Sequence, residues 1–135
     1  MAGKKYEKYI NKNCYRIPKD DNLQIYSTRQ LPDFGSGNFS IDCKQVGKPH
    51  VMIEHPHKHT FDQYLSFFGT DMKDLKDFGA EIELCLGEEQ EKHIINTPTV
   101  VFVEAGLIHG PIEWRKVERP VIFIDIAMTN NYARK

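Results

Sequence analysis

The sequence predicts an all-β fold, a sandwich or barrel built from short strands. Short apolar segments alternate with glycine and proline turns along most of the chain, a spacing that is typical of such folds. Helical periodicity is weak and confined to residues 6–9. The chain has 135 residues, which suits one domain with its own core. We therefore expect a single β-barrel domain over residues 23–130, preceded by a short polar N-terminal arm over residues 1–22.

The strands predicted in the first half are short runs that end at turn-forming residues. Pro32, Gly35 and Gly37 interrupt the chain after the first run, and Gly69 ends the fourth. Alternation or a high content of β-branched and aromatic residues marks each run as extended. The four runs cover residues 23–28, 39–42, 50–54 and 63–68. Residues 71–78 are acidic and polar, and predict a loop with one helical turn.

The second half contains the clearest alternation. Ile82, Leu84 and Leu86 occupy every second position of residues 80–86, which places them on one face of a strand. A turn at Gly87 reverses the chain, and residues 93–95 pair next. Pro98 then introduces a run of β-branched and aromatic residues. The last predicted strands cover residues 99–103, 112–115 and 121–127.

Charge and composition exclude several classes of partner. The net charge is -1 with histidine neutral, and charged residues make up 27% of the chain. This balance argues against nucleic acid or an anionic membrane bound through bulk charge. No apolar run approaches the roughly 20 residues that span a bilayer. Three scattered cysteines without close pairing fit reduced thiols. We expect a cytoplasmic protein.

The most informative segment carries three closely spaced histidines. His55, His57 and His59 alternate along the sequence, so in an extended chain they project to one side, and Gln63 shares their parity. Imidazole is the commonest protein ligand of transition metals at neutral pH. His109 follows Gly106 on a distant strand and would close the site. The pattern therefore predicts a divalent metal site.

Two motifs in this region resemble those of the cupin superfamily. The first runs His57-Lys58-His59-Thr60-Phe61-Asp62-Gln63 and is followed by Gly69; the second runs Glu104-Ala105-Gly106-Leu107-Ile108-His109. In the family motifs a proline is usual where Glu104 stands. The resemblance covers residues 52–126 and is to the small single-domain cupins of unassigned function. It implies a double-stranded β-helix, the jelly-roll barrel of cupins.

The resemblance also implies a set of metal ligands. His57, His59 and His109 match the imidazole positions, and Gln63 falls where the family usually has glutamate. A shifted register is an alternative, with His55 and His57 as the imidazoles and Asp62 as the carboxylate. We favour the register of His57 and His59 because it keeps Gln63 in phase with both.

Other residues are candidates for catalysis and substrate contact. Glu83 on the polar parity of its strand and Asp62 beside the histidines are possible proton acceptors, although a solvated sheet face also explains Glu83. Leu65 and Phe67 share the parity of Gln63 and would line a pocket beside the metal. Pockets for small molecules are mostly apolar with a few polar groups.

Three functions are compatible with this site. The first is a metal-dependent enzyme that acts on a small organic molecule at an open three-histidine site, of the dioxygenase, isomerase or lyase type. Its cofactor would be a divalent transition metal, namely iron, manganese, nickel or zinc. The second is a non-catalytic ligand-binding or sensor protein with a structural metal site. The third is a barrel that has lost its metal, which the glutamine at position 63 suggests. The resemblance also implies a homodimer, with residues 23–31 as a candidate for exchange between subunits.

Overall fold

The chain folds into ten β-strands and one 3-10 helix within the ranges that the structure, a computed structural model, describes. These ranges are residues 4–18, 24–29 and 34–130. The helix is Glu7–Tyr9, and the strands are β1 Tyr15–Arg16, β2 Ile25–Ser27, β3 Ser40–Val46, β4 His50–Met52, β5 Gln63–Gly69, β6 Ala80–Leu86, β7 Glu91–Ile95, β8 Thr99–Val103, β9 His109–Val117 and β10 Val121–Ala127. The predicted all-β class is confirmed.

The strands form two antiparallel sheets that face each other. The six-stranded sheet has the order β1-β2-β3-β10-β5-β8, and the four-stranded sheet has the order β4-β9-β6-β7. Each sheet also pairs strands that are distant in sequence, as β3 and β5 on either side of β10 and β4 beside β9 show. Two sheets joined in this crossing order are the arrangement of a jelly roll. No helix in the described part of the chain is both long enough and apolar enough to span a bilayer.

The core lies between the two inner faces. Phe67 on β5 and Trp114 on β9 are 0% and 1% exposed, and Phe123 on β10 packs against both rings at centroid distances of 5.1 and 6.1 Å. Ile82 and Leu84 complete the other wall from β6. These residues occupy the inward parity that the sequence indicates.

Several strand ends differ from the sequence prediction. The strand expected over residues 50–54 stops at Met52, because Ile53 adopts a positive φ of 59° that interrupts the extended backbone. β9 begins at His109 rather than at residue 112, and β3 continues to Val46 rather than ending at residue 42. The segment expected to be an arm contributes β1, which pairs with β2 at the sheet edge. Residues 1–3, 19–23 and 30–33 of the predicted arm, first strand and following loop lie outside the described ranges.

Candidate metal centre

Backbone hydrogen bonds bring the two histidine motifs together. His57 and His109 form an isolated antiparallel bridge, with each N–H donating to the other's carbonyl oxygen at 3.0 and 2.9 Å. Two residues along, the N–H of Gly106 donates to the carbonyl oxygen of His59 at 2.9 Å. Gly106 has a φ of +86°, a conformation that glycine adopts without steric cost. This pairing aligns segments that are about 50 residues apart in the sequence.

Three imidazoles meet as a result. The ligand nitrogens of His57, His59 and His109 all lie within 4.8 Å of one another. The ring of His109 is 4.4 Å from that of His57 and 5.2 Å from that of His59, measured between centroids. A zinc ion bound at 2.0–2.1 Å from each nitrogen requires ligand atoms roughly 3 Å apart. Small side-chain rotations would bring the three nitrogens to that separation.

The tautomer of His109 suits a metal ligand. Its Nδ1 lies 3.0 Å from the carbonyl oxygen of Leu107. A carbonyl oxygen can only accept, so Nδ1 carries the proton and Nε2 is the basic nitrogen. The same contact fixes the plane of the ring, which is the usual role of such bonds around metals. The ring of His59 is held by stacking on Phe61, with centroids 4.7 Å apart.

Gln63 has a buried polar atom that suits contact with a cation. The residue is 1% exposed, and its Nε2 donates to Oδ1 of Asp125 at 2.9 Å. Its Oε1 is buried and has no hydrogen-bond partner within residues 4–18, 24–29 and 34–130. An unsatisfied buried carbonyl oxygen is costly and calls for an explanation. Three neutral imidazoles and one amide oxygen form a donor set that suits a first-row divalent ion.

A cavity of about 260 Å³ opens beside these residues. His57, His109, Gln63 and Leu65 line it from the metal side. The charged wall of the cavity comes from β1, β3 and β10 of the six-stranded sheet, to which Gln63 and Leu65 on β5 also belong, and from Arg29 just after β2. Its ionisable residues are Arg16, Arg29, Asp42, Lys44 and Asp125.

The charged wall is an ordered network rather than a solvated surface. Arg29 joins the two carboxylates, with Nη1 3.0 Å from Asp42 and Nη2 2.9 Å from Asp125. Arg16 reaches Asp42 through Nη2 at 2.5 Å, and Ser27 donates to the other oxygen of Asp42. Burial raises the pKa of Asp125, and the nearby Arg29 and the hydrogen bond from Gln63 only partly offset that effect.

The sequence analysis did not predict this charged network, although the position of Asp125 in the sequence indicates it. Asp125 interrupts the apolar run 121–127 at the same parity as Val121 and Phe123, and Asp42 lies directly opposite it on β3. A carboxylate at an inward position of an apolar strand must be paired. Arg16 and Arg29 show no comparable signal, because Arg16 ends the two-residue strand β1 and Arg29 lies just after β2, and neither interrupts an apolar run.

The remaining predicted site residues lie elsewhere. Phe67 lies in the core with Trp114 at a centroid distance of 5.9 Å and does not line the cavity. Asp62 accepts a hydrogen bond from the N–H of Ala105 at 2.8 Å, and so holds the two motifs together. His55 of the shifted register is exposed.

Glu83 is not brought to the cavity. It sits between the core residues Ile82 and Leu84, so its side chain projects from the outer face of β6. There it forms ion pairs with Arg115 at 3.2 Å and Lys92 at 3.6 Å. The interior position considered for this carboxylate is therefore corrected by the structure.

Comparisons with known proteins support the fold. No protein-family model and no curated protein sequence matches the chain. Among solved structures, oxalate decarboxylase of Bacillus subtilis, described with Mn(II) centres, aligns with a TM-score of 0.58 and 14% identity over 88% of this chain. This chain spans only 28% of the length of that enzyme.

Two other solved structures are closer to this chain in size. The polyketide cyclase RemF of Streptomyces resistomycificus aligns with a TM-score of 0.55 and 13% identity, over 94% of this chain and 79% of its own. A cupin superfamily protein of Desulfitobacterium hafniense aligns with a TM-score of 0.50 and 13% identity, over 70% and 71% of the two chains. At these identities the likeness shows the fold, which is the double-stranded β-helix of cupins.

Proposed function

We propose that the chain is a metal-dependent enzyme that acts on a small organic molecule in the cavity beside the three histidines. The observation that carries the proposal is the convergence of three imidazoles, two of which line one cavity with Gln63, whose buried Oε1 has no hydrogen-bond partner within the described residues. His57, His59 and His109 would hold the ion, and Gln63 would face it as a weak fourth ligand. When bound, a divalent ion supplies Lewis acidity that polarises a carbonyl or enolate oxygen.

Residues around the three histidines would orient and contact a molecule bound in the cavity. The bond from Gln63 Nε2 to Asp125 fixes which way the amide faces. The cavity would surround part of the bound molecule, and Leu65 provides an apolar contact within it. Asp125 is the carboxylate of this wall that contacts Gln63 directly, and it is largely buried. The structural neighbours described as a decarboxylase and a cyclase support a reaction of a small organic substrate.

The alternative is a non-catalytic binding protein with a structural metal. A structural site is closed by protein ligands, whereas a catalytic one keeps an open position. The cavity that opens beside His57 and His109 favours the catalytic arrangement. Water proton relaxation in Mn(II)-loaded protein would separate the two, because only an open position exchanges water with the solvent.

Metal content is the direct test. We expect close to one divalent ion per wild-type chain after loading with iron, manganese, nickel or zinc, and loss of that ion in His57→Ala and His109→Ala. His93→Ala is the matched control, because His93 is exposed on β7 and contacts Glu91. Elemental analysis that finds no ion in wild-type protein, or equal content in all four proteins, would refute the metal site.

We also propose that two copies pair through the outer face of the six-stranded sheet. The residues of this face that lie opposite each other on adjacent strands carry no charge. Many of them have exposed apolar side chains. They form the rows Ile41, Ile126, Tyr64, Phe102 and Tyr26, Cys43, Ile124, Ser66, Val100. A second copy offers the same uncharged surface in a two-fold arrangement.

Light scattering tests the homodimer. We expect a mass twice the 15.7 kDa of the chain, and a monomer when Tyr64 and Phe102 are both replaced by lysine. A wild-type monomer would refute the pairing. Cytoplasmic location and the lack of a nucleic-acid partner stay predictions.

A further inference from the structure

We propose that the ligand of the cavity is a small organic anion, and that Arg16 determines this specificity. The inference rests on the proposed metal site, since it concerns the molecule that would occupy the space beside it. It follows from the charge of the cavity, from one unused donor on Arg16 and from the cavity's size.

The cavity carries more positive than negative charge. Three cationic side chains line it, Arg16, Arg29 and Lys44, against two carboxylates, Asp42 and Asp125. The candidate metal ligands are uncharged, so a divalent ion would keep its full charge there. Excess positive charge in a partly buried site is unfavourable unless an anion compensates it. A carboxylate or enolate ligand meets this requirement and a neutral one does not.

The two arginines differ in how they are used. Arg29 spans Asp42 and Asp125 with its two terminal nitrogens and is committed to joining β3 to β10. Arg16 instead contacts a single carboxylate, Asp42, through Nη2, and its Nε is buried without a hydrogen-bond partner among the residues that the structure describes. Guanidinium donors form a planar fork that matches a carboxylate. Arg16 therefore keeps a donor for a ligand oxygen.

The volume limits the size of the anion. A water molecule occupies about 30 Å³ in the liquid, so a cavity of about 260 Å³ holds the equivalent of roughly eight waters. Pockets for drug-sized ligands start near 300 Å³. The ligand class is thus a mono- or dicarboxylate with a short carbon chain.

Binding of malonate and of its neutral diamide, malonamide, tests the inference. The full chain is loaded with Mn(II), and both affinities are measured by calorimetry, with the Mn(II) paramagnetic resonance spectrum recorded in parallel. We expect malonate to bind at least ~10-fold more tightly than malonamide. Arg16→Gln should weaken malonate at least ~10-fold, with malonamide and Mn(II) affinities unchanged. Arg115→Gln, on the outer face, is the matched control and should leave all three affinities as in wild type.

The outcomes separate this inference from the proposed function. Wild-type protein that binds no Mn(II) would overturn the proposed function and this inference with it. Bound Mn(II) together with equal affinities for malonate and malonamide would overturn the inference alone, as would unchanged malonate affinity in Arg16→Gln. Should Arg16→Gln not fold, Arg16→Lys keeps the charge but lacks Nε–H, and unchanged malonate binding in that variant overturns the role of Arg16.

Discussion

Replacing Gln63 by glutamate tests how much a second carboxylate beside Asp125 lowers the stability of the protein. The family resemblance puts glutamate at this position, so the substitution looks conservative. The structure predicts the opposite for metal-free protein, because the donor Nε2 that contacts Asp125 at 2.9 Å becomes a second carboxylate oxygen. Two like charges roughly 3 Å apart repel by about 5–6 kcal/mol at an effective dielectric constant near 20.

Protonation of one of the two carboxylates gives the pair of residue 63 and Asp125 a state of lower free energy. Holding one proton on a carboxyl group at pH 7 costs about 4 kcal/mol, at 1.36 kcal/mol per pH unit above its usual pKa. This value caps the penalty, and the ion pair of Asp125 with Arg29 reduces it further. We expect Gln63→Glu to lower the free energy of unfolding by about 2–4 kcal/mol at pH 7. The folded pair binds more protons than the unfolded chain, so stability should recover by about 1.4 kcal/mol for each unit that the pH falls.

Urea denaturation of chelator-treated protein between pH 5 and 7 measures this effect. The double variant Gln63→Glu with Asp125→Asn exchanges donor and acceptor, keeps the charge of the wild type and should recover most of the lost stability. Gln45→Glu is the matched control on the exposed face of β3 and should change stability by less than about 0.5 kcal/mol. A Gln63→Glu variant as stable as wild type at pH 7, or a double variant no better than the single one, would refute the reasoning.

Two further predictions concern the same region. Gly110→Ala should destabilise the chain by about 1–2 kcal/mol or more, because Gly110 has a φ of +95° and an added Cβ would lie 2.9 Å from Ile53; Gly47→Ala, with open space around it, should be nearly neutral in the same urea titration. Asp125→Asn should remove a pH dependence from metal-free protein. Burial raises the pKa of Asp125 above its ordinary value of 3.8, so this carboxyl holds its proton more tightly in the folded state, and stability declines as pH rises through that range. The stability of wild type relative to Asp125→Asn should therefore decrease from pH 4 to 7, and a difference that increases would contradict the pKa direction.

The sequence was sufficient for the parts of the fold that depend on local pattern. Alternation of Ile82, Leu84 and Leu86 and the breaker at Gly69 located strands that the structure contains. The histidine spacing and parity indicated three imidazoles that do meet. Strand ends were harder to predict, because the positive φ of Ile53 is a conformation that a β-branched residue does not favour.

The charged wall of the cavity could not be predicted for a different reason. Its members come from four separate stretches of the chain, and they are related only by the register of β1, β2, β3 and β10. The pairing that puts Asp42 opposite Asp125 depends on the order of strands in the sheet. Alternation along one strand carries no information about which strand lies beside it.

The charged wall of the cavity explains why residue 63 is a glutamine rather than a glutamate. Asp125 already places a carboxylate next to the side chain of residue 63, and a glutamate there would bring two carboxylates into contact. An amide resolves the conflict, because it donates to Asp125 through Nε2 and leaves Oε1 as an acceptor for a cation. Cupin motifs usually have a negatively charged glutamate as a metal ligand at this position. Here the negative charge is on Asp125, which contacts Gln63 instead. Ligands without charge leave more positive charge on a bound ion, and therefore make it a stronger attractor of anions than a site with a carboxylate ligand. The same substitution that suggests a lost metal site thus fits a retained one with a preference for anionic molecules.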